Sequence, residues 1–112
     1  EESNNKWRVE FTSPLENIIA YTFSDNPRLT EISIPETVKT IQKGAFKNCP
    51  NLHNVVCNAI EPPKAVYDIA EQWEAFDGNH ADRKIYVPQQ SLEKYKSANG
   101  WKEYADCIES IR

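Results

Sequence analysis

Four short stretches of the chain carry apolar residues two positions apart: Val9 and Phe11, Ile32 and Ile34, Val55 and Cys57, and Ile85 and Val87. A period of two places such residues on one face of an extended strand. The predicted strands are Trp7–Phe11, Thr30–Ile34, His53–Cys57 and Lys84–Val87. Pro35 closes one of them, because proline has no N–H to donate to a continuing ladder. Beyond Pro88 the pattern changes. Leu92 and Tyr95 fall on one helical face that ends near Asn99-Gly100, a common way to stop a helix. Trp101, Tyr104, Ile108 and Ile111 form a second apolar stripe. Residues 89–112 thus read as a cap, a helix with room for a last strand, laid over the open end.

The strands recur at a fixed interval. "TFSDNPRL" (22–29) and "AFKNCPNL" (45–52) match at Phe23 and Phe46 and at Leu29 and Leu52, an offset of 23. The same offset relates Ile18 to Ile41, Ile32 to Val55 and Ile34 to Cys57, and, one step earlier, Val9 to Ile32 and Leu15 to Val38. A degenerate copy follows, in which Phe76, Asn79, Ile85, Val87 and Pro88 match Phe23, Asn26, Ile32, Ile34 and Pro35 at an offset of 53, one period plus a stride of 30. Asp82 stands where the pattern asks for leucine. Periods of this length signal stacked coils, since one coil alone cannot bury its apolar face. The strands should lie parallel and adjacent, one per coil, with Phe23 and Phe46 filling the opposite wall. The stretch "AIEPPKAVYDIAEQWEA" (59–75) interrupts the period with Pro62-Pro63 and then a helix-compatible run. The expected organisation is a single domain over 1–112: regular repeats to 58, an irregular last repeat over 59–88, and the cap from 89.

"ISIPETVKTIQKGAFKNCPNLHNVVC" (32–57) resembles the leucine-rich repeat of the BspA-like type, with Ile34, Pro35, Val38, Ile41, Ala45, Phe46, Cys49 and Leu52 on the pattern. The closing stretch, from Pro62-Pro63 through "IYVPQQSLEKYKSANGWKEY", is similar to the C-terminal cap of many of these bacterial surface proteins. The repeat at 15–35 departs from the pattern: Asn26 replaces the cysteine, and Tyr21-Thr22 replaces Gly-Ala. The resemblance implies an α/β repeat fold: a short right-handed leucine-rich-repeat superhelix with a parallel sheet of about four to five strands and a helical C-terminal cap. It also implies export and a role in adhesion or protein binding at the cell surface, in some members to host matrix or plasma proteins.

Composition changes this picture little. With 39% hydrophobic and 27% charged residues the chain is globular in character. A net charge of −4 without any Lys/Arg cluster argues against nucleic acid as a partner. No apolar run approaches the roughly 20 residues that span a bilayer. The chain has no methionine, so it reads as a processed or excised piece, from which any leader or lipid anchor would already have gone. Its three cysteines are too few and of the wrong parity for a disulfide framework.

Cys49 and His53 are four apart, the helical spacing of a thiol–imidazole pair. The register instead puts Cys49 at a turn, in the slot held by Asn26 and Asn79, where a short polar side chain serves turn backbone groups. Cys57 takes the core position of Ile34; a Cys57–Cys107 bridge would require the cap to fold directly onto the last regular strand. "DGNHAD" (77–82) gathers Asp77, Asn79, His80 and Asp82 but lacks the EF-hand order. Glu71 and Glu74 flank Trp73 as ordinary solvent-facing carboxylates. No nucleophile elbow, phosphate loop or zinc motif is present, so neither catalysis nor a cofactor is expected.

What remains is surface. The residues between the inward-facing ones form two ladders across the sheet: Arg8, Glu31, Asn54 and Lys84, and Glu10, Ser33, Val56 and Tyr86. These are the expected ligand-contacting positions on a concave face, suited to a protein partner or to weak self-association. A second reading is carbohydrate binding on Trp73, Trp101, Tyr67 and Tyr86. A third is a structural role, as the capped terminal portion of a longer repeat array.

Overall fold

Ile32 and Ile34, Val55 and Cys57, and Ile85 and Val87 are all buried, with half-exposed residues between them. The computed structural model describes residues 7–9, 15–67 and 72–111. Strands β1 (Trp7–Val9), β3 (Leu29–Ile34), β5 (Asn54–Cys57), β7 (Lys84–Val87) and β8 (Ile108–Ser110) form one sheet in that order, every neighbouring pair parallel. Its register keeps like with like: Val9 lies opposite Ile32, Ile32 opposite Val55, Val55 opposite Ile85, and Ile85 opposite Ile108. The expected extension of the first strand to Phe11 lies outside the described residues.

One strand per coil is an undercount. A second parallel sheet runs β2 (Asn17–Ile18), β4 (Thr40–Gln42) and β6 (Lys64–Val66). In its central column Ile18 pairs with Ile41, and Ile41 with Ala65. A third backbone ladder joins the turns. The N–H groups of Tyr21, Phe23 and Asp25 donate to the carbonyls of Lys43, Ala45 and Lys47, and those of Gly44, Phe46 and Asn48 donate to Trp73, Ala75 and Asp77. Each coil therefore meets the next along three walls, which satisfies backbone groups that stacking removes from water.

The interior between these walls is filled by columns of equivalent side chains. The rings of Phe23 and Phe46 lie 5.4 Å apart and 2° from parallel, and those of Phe46 and Phe76 lie 5.4 Å apart at 5°. The slot residue then ties each coil to the one before it. The Cys49 thiol donates to the carbonyl of Phe23 at 3.0 Å, and the Asn79 amide donates to the carbonyl of Phe46 at 2.9 Å. Asn26 serves its own turn, its side-chain oxygen accepting from the N–H groups of Arg28 and Leu29.

The turns hold a left-handed backbone at equivalent places. Tyr21, Gly44 and Glu74 have φ of 60°, 65° and 54°, and Asp25, Asn48 and Gly78 have 62°, 61° and 77°. Only Gly44 adopts the first of these conformations freely. The Tyr21-Thr22 departure from the repeat pattern thus changes the residues while the backbone keeps its course.

The helix expected within 59–75 is not found in its described part. Lys64–Val66 continues the second sheet, with the N–H of Lys64 donating to the carbonyl of Lys39 at 2.8 Å. The prolines hold Glu61 and Pro62 extended, and pairing with β4 carries the extended course on through Lys64–Val66. In the closing stretch, α1 (Leu92–Ser97) is a short helix after a single 3-10 turn at Gln89–Ser91, and Trp101–Cys107 forms 3-10 turns. Ile108 then enters β8, the last strand for which the sequence left room, and Ile111 beyond it is 39% exposed. Trp101 packs 5.1 Å from Trp73, 5.7 Å from Phe76 and 5.0 Å from Tyr95, ring to ring.

Two stability changes follow. Phe46→Ala removes a fully buried ring packed on both faces and should cost about 3–5 kcal/mol, seen as a lower urea midpoint at unchanged slope. Gly100→Ala would place a Cβ 2.6 Å from that of Ala65 and 2.7 Å from the Trp73 ring, at a φ of 80°. It should destabilise by roughly 2 kcal/mol or more, measured in the same experiment.

Candidate interaction face

Inward anchoring of Ile32, Val55, Ile85 and Ile108 forces their neighbours to the opposite, solvent-facing side of the five-stranded sheet. The pairing brings Arg8 opposite Glu31, Glu31 opposite Asn54, and Asn54 opposite Lys84. It likewise aligns Ser33, Val56 and Tyr86, while Glu10 lies outside the described residues. Glu31, Ser33, Asn54, Val56, Lys84 and Tyr86 are each half-buried, as expected for side chains standing side by side about 4.8 Å apart.

The fifth strand adds a residue that sequence reasoning missed. Glu109 pairs with Tyr86, and its carboxylate lies 3.1 Å from the Lys84 ammonium. The hydrogen bond from Lys84 to Glu109 raises the lysine's pKa above its ordinary value. The signal was present, since Ile108, Glu109 and Ser110 begin an alternation in the segment that left room for a last strand, but no strand residues were assigned there. The face therefore carries one apolar–aromatic step, Val56 beside Tyr86, flanked by Ser33 and Glu109 and bordered by the Glu31–Asn54–Lys84 row.

The remaining candidates have structural duties. Cys49 bonds the Phe23 carbonyl, and burial raises its pKa; the His53 ring bonds the Asn51 carbonyl at 2.9 Å and packs 5.7 Å from the His80 ring. Cys57 is buried with its sulfur 3.3 Å from the Tyr95 hydroxyl, which itself donates to the Ala59 carbonyl. Burial pushes the Cys57 thiol up to about 11. All three cysteines are free, so no Cys57–Cys107 bridge forms; the C-terminal segment reaches Cys57 through Tyr95, and β8 pairs with β7 instead.

In the 77–82 loop, Asp77 accepts from the Tyr104 hydroxyl and His80 accepts from the N–H of Asp82. Among the described residues, no three or more His, Cys, Asp or Glu side chains are grouped to hold a metal. Glu74 pairs with Lys47 at 2.6 Å, a hydrogen bond that holds its carboxyl below the usual carboxylate range, and Glu71 lies outside the described residues.

The carbohydrate reading loses its platforms. Trp73 and Trp101 are both 0% exposed, their indole N–H groups donating to the carbonyls of Ile41 and Pro63. A sugar stacks on an accessible aromatic face, and neither ring offers one. Tyr67 is half-buried against the core, which leaves Tyr86 alone on the sheet face.

Repeated coils, paired parallel strands and the phenylalanine column together define a leucine-rich-repeat scaffold. A family model described as "BspA type Leucine rich repeat region (6 copies)" matches residues 1–79, more than half of the chain, and the chain belongs to that family. Membership makes it a repeat scaffold of the protein-interaction kind, generally non-enzymatic. No curated protein matches it. Among the described residues, no helix is long and apolar enough to cross a membrane.

The cysteine environments set an expected reactivity. A thiol-specific chromogenic reagent should label Cys107 quickly in the native protein and spare Cys49 and Cys57, which are buried; all three cysteines should react after denaturation.

Proposed function

We propose that this chain is a non-catalytic, secreted or cell-surface leucine-rich-repeat module that binds a protein partner, in adhesion to host matrix or to another cell-surface protein. In this reading the coils wind as a short right-handed superhelix within one domain. A helical cap from residue 89 closes the array, and the solvent-facing side of the five-stranded sheet is the concave binding face. Val56 and Tyr86 supply the contact area, and Glu31, Asn54, Lys84 and Glu109 set orientation, with Arg8 and Glu10 extending the rows toward the first coil.

The observation that carries the reading is the register of Ser33, Val56, Tyr86 and Glu109 across four consecutive strands of that sheet. It places a tyrosine, a residue enriched at the centres of interfaces, against an apolar neighbour and within a charged rim. Size bounds the strength. Five strands some 16 Å long at about 4.8 Å spacing present about 300–400 Å², against about 800 Å² per partner in a standard interface. A single module should bind weakly, and avidity from several modules on one surface would raise the apparent affinity. Weak self-association through the same face is the homotypic form of this reading.

Surface plasmon resonance against a panel of extracellular-matrix and plasma proteins tests it. Saturable binding should appear in the micromolar range, and Tyr86→Ala should weaken it by about 2 kcal/mol with the circular dichroism spectrum unchanged. Absence of binding at tens of micromolar (a figure of roughly −6 kcal/mol), for monomer and dimerised module alike, would remove the proposal.

A further inference from the structure

The chain's two histidines meet on the surface. In the last coil His80 takes the position that Pro27 and Pro50 hold in the regular ones, and its ring centre lies 5.7 Å from that of His53, the planes tilted by 59°. Backbone bonds fix both residues. The N–H of His80 donates to the Leu52 carbonyl at 3.1 Å, and that of Lys84 donates to the His53 carbonyl at 2.9 Å. Between them, the N–H of Arg83 closes the turn onto the His80 carbonyl at 3.0 Å. His53 is half-buried and His80 exposed, so the pair is held in place and open to solvent.

Hydrogen bonding sets the tautomers. His53 Nδ1 lies 2.9 Å from the Asn51 carbonyl oxygen, which only accepts, so Nδ1 carries the proton and Nε2 keeps a lone pair. At neutral His80 the roles reverse: Nδ1 accepts from the Asp82 N–H at 3.0 Å, and Nε2 carries the proton. A metal-ligating histidine almost always donates its other ring N–H to a carbonyl, a carboxylate or water, which fixes tautomer and ring orientation. His53 already has that bond. His80 can ligate through either nitrogen, Nδ1 by releasing one backbone N–H or Nε2 by passing its proton to Nδ1.

The neighbouring cations are engaged elsewhere. Arg83 donates to the Phe76 carbonyl at 3.1 Å and lies 5.0 Å over the Tyr104 ring, and the Lys84 ammonium is 3.1 Å from Glu109. Asp82 contributes an exposed carboxylate two residues from His80. Zinc holds imidazole nitrogens at about 2.0–2.1 Å in a tetrahedral arrangement, which sets the ring centres about 5 Å apart. The observed spacing reaches that value by small side-chain rotations. Among the described residues no third His, Cys, Asp or Glu completes the group. From this geometry we infer that His53 and His80 form a two-imidazole site for a borderline divalent transition ion such as Zn²⁺, with water in the open positions. Imidazole ligands select such ions over the oxygen-seeking Mg²⁺ and Ca²⁺. The site does not depend on the sheet-face reading.

The test is a ZnCl₂ titration of the full chain, followed by the NMR signals of the histidine rings. Both rings should shift together and saturate at one ion per chain, with a Kd of about 10–100 μM, while MgCl₂ at the same concentrations should move neither. His53→Asn and His80→Asn should each weaken binding by about tenfold or more, with the circular dichroism spectrum unchanged. Cys107→Ser should leave the affinity as it is, which separates the pair from the partly exposed thiol. A shift of one ring alone, no saturation below about 1 mM, or loss of binding in Cys107→Ser would overturn the inference. So would a single-histidine variant that binds zinc as tightly as the parent chain.

Discussion

Every feature of this molecule rests on coils being laid one on another so that a side chain meets its equivalent from the next coil. The column Phe23–Phe46–Phe76 is the clearest case, with near-parallel rings at 5.4 Å spacing. Such contact is worth little to a coil standing alone, because each coil has half its apolar wall on a neighbour. The polar slot beside the column adds a constraint of a different kind. Cys49 and Asn79 each reach back to the carbonyl of the preceding phenylalanine, so the coils are fixed in register as well as held together. Apolar stacking supplies the stabilisation and the slot supplies the alignment.

Much of this was legible in the sequence because the coil repeats. The offset of 23 alone locates Ile32, Ile34, Val55 and Cys57 on their strands and pairs Phe23 with Phe46, as the structure has them. The second sheet was not legible as strands. Its members are two or three residues long, with one column of Ile18, Ile41 and Ala65, and a single apolar position has no alternation to detect. Ile18 and Ile41 did appear in the register, as apolar matches without an assigned element. The run after Pro62-Pro63 misled for a related reason. Its composition suits a helix, but the unpaired edge of β4 offers Lys64–Val66 a ladder, and tertiary pairing overrides propensity.

The candidate face was legible in its rows and illegible in its edge. Alternation alone placed Glu31, Ser33, Asn54, Val56, Lys84 and Tyr86 on one side of the sheet. Glu109 was missed because its alternation is only three residues long and lies in the closing segment, where a last strand had room but no assigned residues. Alternation could not show that Trp73 and Trp101 are spent on the interior. A tryptophan in a polar stretch reads as a surface aromatic until a partner for its N–H is found, here the carbonyls of Ile41 and Pro63.

The uneven stride of the last repeat has a consequence for how such a chain can vary. Ala65 follows Ile41 by 24 residues, whereas Phe76 follows Phe46 by 30, so nearly all the added length enters at the corner between the second sheet and the phenylalanine column. Both flanking ladders keep their register across it, with Gly44, Phe46 and Asn48 still bonded to Trp73, Ala75 and Asp77. The last repeat is thus longer than its predecessors by an amount taken up at one corner, while the strand column and the ring column on either side stay in step with the coil before.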